Sequence, residues 1–277
     1  MKLKRKRWIA LLIVLALMLL SFTWMRWRPA QRFESSLPRH QEFRVATWNV
    51  GYFSMTRDKN VRKTDLKPIV ETIRALHADV VILQELGSLD HPETIAGELG
   101  EDWNAYAVET GHGRQVLAIL SRSESRETGD CECGGRKVKT VSLKSRTGRS
   151  VFVAGVHSPH PARGPSDTVD NIRCVISRAR DRTEEIRIIA GDMNYNFDPD
   201  REEDELYREI RSDFGDGTSS LGETYYAHTR IDHVFHYPES LEVVEEGSGL
   251  LDLSWRFANV PGFRDHRPIV VTYDLGQ

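Results

Sequence analysis

The chain has 277 residues, 39% of them apolar and 29% charged, which supplies a full-sized core and excludes both an intrinsically disordered tail and a small disulfide-stapled module. The net charge of −3 conceals an asymmetry: residues 1–28 carry seven basic side chains and no acid, leaving 31 basic against 41 acidic residues, a balance of −10. So acidic a body excludes coating of nucleic acid by bulk charge, but not an enzyme that meets phosphates through a bound cation.

Residues 8–25 are an uncharged run of 18, preceded by five basic residues among the first seven. As a helix the run would be about 27 Å long, close to the thickness of a bilayer core. A cleaved signal peptide would end in a small-x-small site, whereas this segment leaves through Phe22, Trp24, Arg26, Trp27 and Arg28, which are bulky and basic. An uncleaved signal anchor over residues 1–28 is expected, a single pass through the membrane with the N-terminus cytoplasmic and the catalytic domain extracytoplasmic. Secretion after signal cleavage is the alternative. Residues 29–41, with Pro29 and Pro38, read as a linker, and the folded domain is expected over residues 42–277.

The domain opens strand, helix, strand: residues 44–48, a helix carrying Leu66, Ile69, Val70, Ile73 and Leu76 at helical spacing, then residues 79–83. Strands follow at 105–108, 116–121, 137–143 and 151–156 with little helix between them, which predicts hairpins in an antiparallel or mixed sheet. Val169, Ile172, Val175, Ile176 and Ala179 then form one face of a helix starting near Ser166. Strands at 187–190, 231–235 and 268–273 and a charged helix over 200–210 complete the pattern. Each amphipathic helix needs a sheet face to cover, so two sheets packed face to face with helices outside, a four-layer α/β/β/α sandwich, is the economical fold.

Three cysteines make no disulfide framework. Cys131 and Cys133 lack the second ligand pair that a zinc knuckle needs. A loop disulfide that could take in Cys174, or plain free thiols, fits them better.

Polar side chains gather at strand ends. Asn49 follows the first strand, Gln84 and Glu85 the next and His157 the strand at 151–156; Asp192 and Asn194 follow 187–190, Asp232 opens 231–235, and Asp265 and His266 precede the last strand. Taken singly each has a bland reading: the Gly191–Asp192–Met193–Asn194 stretch is good turn chemistry, and Gln84–Glu85 reads as a solvated strand end. Together they place acids, amides and imidazoles at one rim of a sandwich. Carboxylate and amide oxygens suit a hard cation such as Mg²⁺ or Mn²⁺, and imidazoles, poor ligands for such an ion, are left for proton transfer. The chemistry this supports is metal-assisted hydrolysis of a phosphate ester.

Thr47-Trp48-Asn49, Leu83-Gln84-Glu85, Gly155-Val156-His157-Ser158-Pro159, Gly191-Asp192-Met193-Asn194, Arg230-Ile231-Asp232-His233 and Asp265-His266-Arg267-Pro268 run in one order over residues 43–275. In these six segments the chain resembles the endonuclease/exonuclease/phosphatase superfamily, with its deoxyribonuclease I-like fold. The resemblance implies Glu85 as the main metal carboxylate, with Asn49 and Asp265 nearby. It implies that Asp192 and Asn194 hold the phosphate, the attacking water or a second cation. His266, oriented by Asp232, becomes general base or phosphate donor, and His157 contacts the phosphate or protonates the leaving oxygen. Glu109 is a candidate partner for His157 outside this set. Arg264 and Met193 depart from the family pattern without touching a proposed catalytic group.

The superfamily acts on DNA, RNA, inositol phosphates and lipids, so the fold does not choose the substrate. Arg114, Arg163 and Arg173 are positioned in the sequence to track a nucleic-acid backbone, which favours a nuclease; a sphingomyelinase-like or inositol-phosphate phosphatase-like enzyme is the alternative. A membrane-anchored binding module on the same scaffold would be expected to lose Glu85, Asp192 or His266, and all three are present. No obligate protein partner is evident.

Overall fold

A computed structural model describes residues 37–51, 66–111, 115–197, 204–225, 229–251 and 266–276. The element order is β1 (Glu42–Asn49), α1 (Leu66–Leu76), β2 (Val80–Leu86), α2 (Asp90–Leu99), β3 (Asn104–Glu109), β4 (Val116–Ser121), β5 (Ser125–Cys133), β6 (Arg136–Lys144) and β7 (Ser150–His157). It continues with α3 (Pro165–Arg180), β8 (Ile186–Asp192), α4 (Glu205–Arg211), β9 (Gly215–Asp216), β10 (Asp232–Tyr237), β11 (Glu242–Val243), β12 (Gly249–Leu250) and β13 (Ile269–Asp274). The expected signal anchor lies outside the described residues. Among the described residues no helix is long and apolar enough to cross a membrane.

The strands form two mixed sheets. One has the order β11-β13-β1-β2-β4-β3, with β12 also on β13; the other is β5-β6-β7-β8-β10-β9. Period-two alternation sorts each strand's residues between layers. On β1 and β2, Val45, Val80 and Ile82 face the space between the sheets, while Ala46, Trp48, Val81 and Leu83 face α1 and α2. On β7, Val151 and Val153 face inward, and Phe152, Ala154 and Val156 face α3. These three apolar layers make the expected four-layer sandwich, and burying each large apolar side chain within them contributes about 1.5–3 kcal/mol.

Besides the two-residue strands β9, β11 and β12, helix α2 and strand β5 were not expected from the sequence. Helix α2 buries only Pro92, Ile95 and Ala96, and with Pro92 and Gly97 inside it shows no clear helical period. Strand β5 is an edge strand of mainly polar residues, Ser-Arg-Glu-Thr-Gly-Asp-Cys-Glu-Cys, held by its ladder to β6. The charged helix is shorter than expected. It starts at Glu205 because the Asp204 carboxylate caps it, accepting from the Tyr207 N–H at 3.0 Å.

Cys133, at the end of β5, is bonded to Cys174 on α3, and Cys131 is the free thiol. The zinc reading falls because one of its two sulfurs is committed to this bond. The bridge spans 41 residues, and losing it is expected to cost about 4 kcal/mol, or roughly 10 °C in Tm. Denaturation of Cys133→Ser/Cys174→Ser against the parent chain measures this.

Candidate active site

Register brings the strand ends together. Asn49 lies opposite Gln84 on the parallel pair β1–β2, and His157 opposite Asp192 on the parallel pair β7–β8. Asp232 opens β10 opposite Asp192, and His266 stands just ahead of β13, bridged to Tyr225. Asn49 Nδ2 donates to Asp192 Oδ2 at 3.0 Å and so ties one sheet to the other.

Asp192 is the hub. Its Oδ1 accepts from the Asn194 N–H at 2.8 Å, and its Oδ2 lies 3.8 Å from both His157 Nε2 and His266 Nε2. Burial pushes its carboxyl up to about 6 against the opposing pull of His266. Asn194 adopts φ +48° and donates from Nδ2 to the Ser158 carbonyl at 2.9 Å, pinning the turn after β8 to the end of β7. Gly191 allows that packing: a Cβ there would sit 1.9 Å from the Val156 carbonyl oxygen. Gly191→Ala is expected to destabilise the fold by about 3 kcal/mol or more, measured by urea denaturation.

His266 donates from Nδ1 to Asp232 Oδ2 at 2.8 Å, and its ring packs 4.8 Å from that of Tyr225. Burial alone would lower its pKa, but the charges of Asp232 and Asp192 outweigh burial and raise it to about 9. At neutral pH the ring is an imidazolium. Thr224 Oγ1 donates to the same Asp232 oxygen at 2.8 Å, while Asp232 Oδ1 is buried without a hydrogen-bond donor.

His157 Nε2 lies 3.7 Å from Glu85 Oε1. Its Nδ1 faces the Arg136 guanidinium at 3.1 Å, and Glu109, the other candidate partner, is exposed at the end of β3. Glu85 stands at the irregularity where β2 loses register with β4, at φ +61°. Such a left-handed conformation in a non-glycine residue costs about 1–2 kcal/mol and turns the carboxylate off the strand's regular alternation. Gln84 is buried rather than solvated, donating to Thr47 Oγ1 at 3.0 Å across β1 and β2.

The set Asn49, Glu85, His157, Asp192, Asn194, Asp232 and His266 therefore shares one rim, and Asp265 lies outside the described residues. Arg136, Thr224 and Tyr225 were not anticipated; each sits in an ordinary hairpin or loop with no local signal of its purpose. The donors fit a hard divalent cation: Glu85 is part-exposed, Asp192 shares with it the neighbour His157 Nε2, and Asp232 keeps a buried oxygen without a donor. Among the described residues, Asp192, Asp232 and His266 also place ligand atoms within 4.8 Å of one another. The hydrogen bond from His266 Nδ1 already occupies one oxygen of the Asp232 carboxylate, so oxygens from Glu85 and Asn49 are the better ligands.

A family model described as Endonuclease/Exonuclease/phosphatase family matches residues 46–254. The chain belongs to this family. Its named activities are all hydrolyses of phosphate esters, and the rim residues from Asn49 to Asp232 lie within the matched span, with His266 beyond its end. No curated protein sequence matches the chain. An endonuclease/exonuclease/phosphatase from Beutenbergia cavernae is similar in fold at 21% identity and TM-score 0.63, covering 85% of this chain and 72% of its own. The mannosyl-6-phosphatase of Bacteroides thetaiotaomicron is 18% identical, with TM-score 0.59 over 83% of this chain and 98% of its own. The human Nocturnin catalytic domain with bound sulfate is 17% identical, with TM-score 0.61 over 89% and 98%.

Proposed function

We propose that the protein is a divalent-metal-dependent phosphoesterase that hydrolyses nucleic-acid phosphodiester bonds. The observation that carries this reading is a single buried carboxylate, Asp192, flanked at 3.8 Å by the Nε2 atoms of two imidazoles. Diester hydrolysis needs a base for water and a donor for the departing alkoxide, and this arrangement offers both. Asp192, its carboxyl raised to about 6, is a base matched to neutral pH, and Asn194 holds its orientation. The His266 imidazolium, kept charged by Asp232, binds a phosphoryl oxygen, and His157 meets the leaving oxygen from the other side. Glu85 and Asn49, with Asp265 as a further candidate, would hold Mg²⁺ or Mn²⁺, which supplies charge neutralisation at the phosphate.

Of the arginines read as a nucleic-acid track, Arg173 is paired with Glu209 at 2.8 Å, which weakens that argument for a nuclease. The named activity of the Bacteroides neighbour supports a small-molecule phosphoesterase as a second reading. The domain division, with an anchor over 1–28, a linker over 29–41 and a catalytic domain from 42, goes with an exported, membrane-held enzyme; the Cys133–Cys174 disulfide supports an oxidising compartment.

The test incubates the detergent-solubilised full chain with supercoiled plasmid, RNA, sphingomyelin, inositol phosphates and mannose 6-phosphate, with Mg²⁺ or Mn²⁺ and with chelator. Nicking of plasmid or cleavage of RNA is expected, abolished by chelator and restored by either ion. Glu85→Gln is expected to raise the metal concentration needed for half-maximal rate by about tenfold or more. Turnover of the lipid or sugar phosphates alone would replace the nuclease reading with the second one, and metal-independent turnover would overturn the metal assignment.

A further inference from the structure

Arg136 is buried beside the catalytic rim, and none of the roles assigned above uses it. We propose that Arg136 is a positioning residue that holds His157 in the tautomer with its proton on Nε2, the nitrogen facing Glu85 and Asp192, so that His157 serves as a hydrogen donor. This assignment of a role within hydrolysis rests on the phosphoesterase reading; the tautomer itself does not.

A guanidinium has donors and no acceptor. With Arg136 NH1 donating to His157 Nδ1 at 3.1 Å, that ring nitrogen must present its lone pair, and the proton of the neutral imidazole is placed on Nε2. The far side of the ring agrees, because Nε2 looks toward two acceptors, Glu85 Oε1 at 3.7 Å and Asp192 Oδ2 at 3.8 Å. His266 is set the opposite way, its Nδ1 donating to a carboxylate. One imidazole of the rim is thus backed by a cation and the other by an anion.

The position of the guanidinium is built into the scaffold. Arg136 opens β6 directly after the turn at Gly134 and Gly135, and that turn is clamped onto α3. Cys133 is bonded to Cys174, Asn171 Nδ2 donates to the Cys133 carbonyl at 2.6 Å, and a Cβ on Gly134 would meet the Asn171 backbone nitrogen at 2.7 Å. Asn171 Oδ1 also accepts from Ser158 Oγ at 2.8 Å, so one residue of α3 references both the Arg136 hairpin and the chain next to His157. Gln115 Oε1 accepts from the same NH1 at 3.3 Å, which keeps the guanidinium from swinging away.

The test is ¹⁵N NMR of the histidine rings in the full chain, solubilised and metal-free under chelator, with His157 assigned by the signals lost in His157→Gln. The parent is expected to show a lone-pair Nδ1 and a protonated Nε2. Arg136→Met is expected to lose that pattern, and Arg136→Lys, which keeps a donor, to restore it. In turnover assays Arg136→Met is expected to lower kcat by about 10²-fold or more with KM little changed, as when a catalytic imidazole presents the wrong nitrogen. Partial recovery of kcat is expected in Arg136→Lys.

A parent His157 protonated at Nδ1, alone or together with Nε2, overturns the proposal, as does an unchanged tautomer in Arg136→Met. If Arg136→Met does not fold, the parent spectrum and Arg136→Lys decide by the same criteria. The expected tautomer in a chain that hydrolyses no phosphate ester would overturn the phosphoesterase reading while the Arg136–His157 assignment stands.

Discussion

Replacing His266 with alanine is expected to lower phosphoester turnover by about 10²- to 10⁴-fold, the usual contribution of a positioned proton-transfer or charge-stabilising group. The imidazolium is the cation nearest Asp192 within the described rim, and Asp232 behind it, with Thr224 on the same oxygen, sets its orientation. Alanine would also leave the Asp232 carboxylate buried without its cationic partner, a loss of about 3–5 kcal/mol in stability. His266→Asn separates the two effects, because an asparagine amide can donate to Asp232 from roughly where Nδ1 stood while carrying no charge. The expected outcome is a folded His266→Asn protein with turnover as low as that of His266→Ala. Turnover at the parent level in His266→Asn would remove His266 from the mechanism. The stabilising effect also has a pH signature. His266 is raised from 6.5 to about 9 on folding, so its contribution is fully present below pH 6.5 and is lost as pH climbs through about 9. The stability gap between the parent and His266→Asn, measured by denaturation of the metal-free chain, should close over that window.

Asp192→Asn is expected to cost about 10²- to 10³-fold in turnover, the scale of removing one preorganised charge from an active centre. The shape of the turn should survive, since an isosteric asparagine can still accept from the Asn194 N–H through its carbonyl oxygen, while its NH2 replaces the oxygen that accepts from the Asn49 amide. The electrostatics should not. His266 loses one of the two carboxylates that raise its pKa, so its titration in the metal-free protein should fall below about 9, read by histidine NMR. The Asp192 carboxyl, held up near 6 by burial, shifts stability with pH in the same sense at lower pH: it favours the folded state while protonated, below pH 3.8, and that contribution disappears as pH rises through about 6. A His266 titration unchanged in Asp192→Asn would show that the two groups do not interact as their 3.8 Å separation implies.

Short apolar runs at β1, β2, β4, β7 and β8, and the helical spacing of α1 and α3, made two sheets and their covering helices legible in the sequence, because the length and period of an apolar run are local properties. The acids and imidazoles of the rim were legible for a related reason: they interrupt or end apolar runs, where a charge has no packing purpose. Neither α2, with its proline and glycine, nor β5, polar along its length, has such a period, and each exists because a neighbour supplies what its own residues lack. The partnership of Cys133 with Cys174, the pairing of Asp232 with His266 rather than His157, and the approach of Arg136 to His157 join residues 41, 34 and 21 positions apart. Residue types and their order along the chain thus determined the fold and the chemistry on offer. The Asp232–His266 pair was implied by the family resemblance, whereas the guanidinium behind His157 was decided only by tertiary structure, since hydrogen bonding and Coulomb energies depend on separation in space and not along the chain.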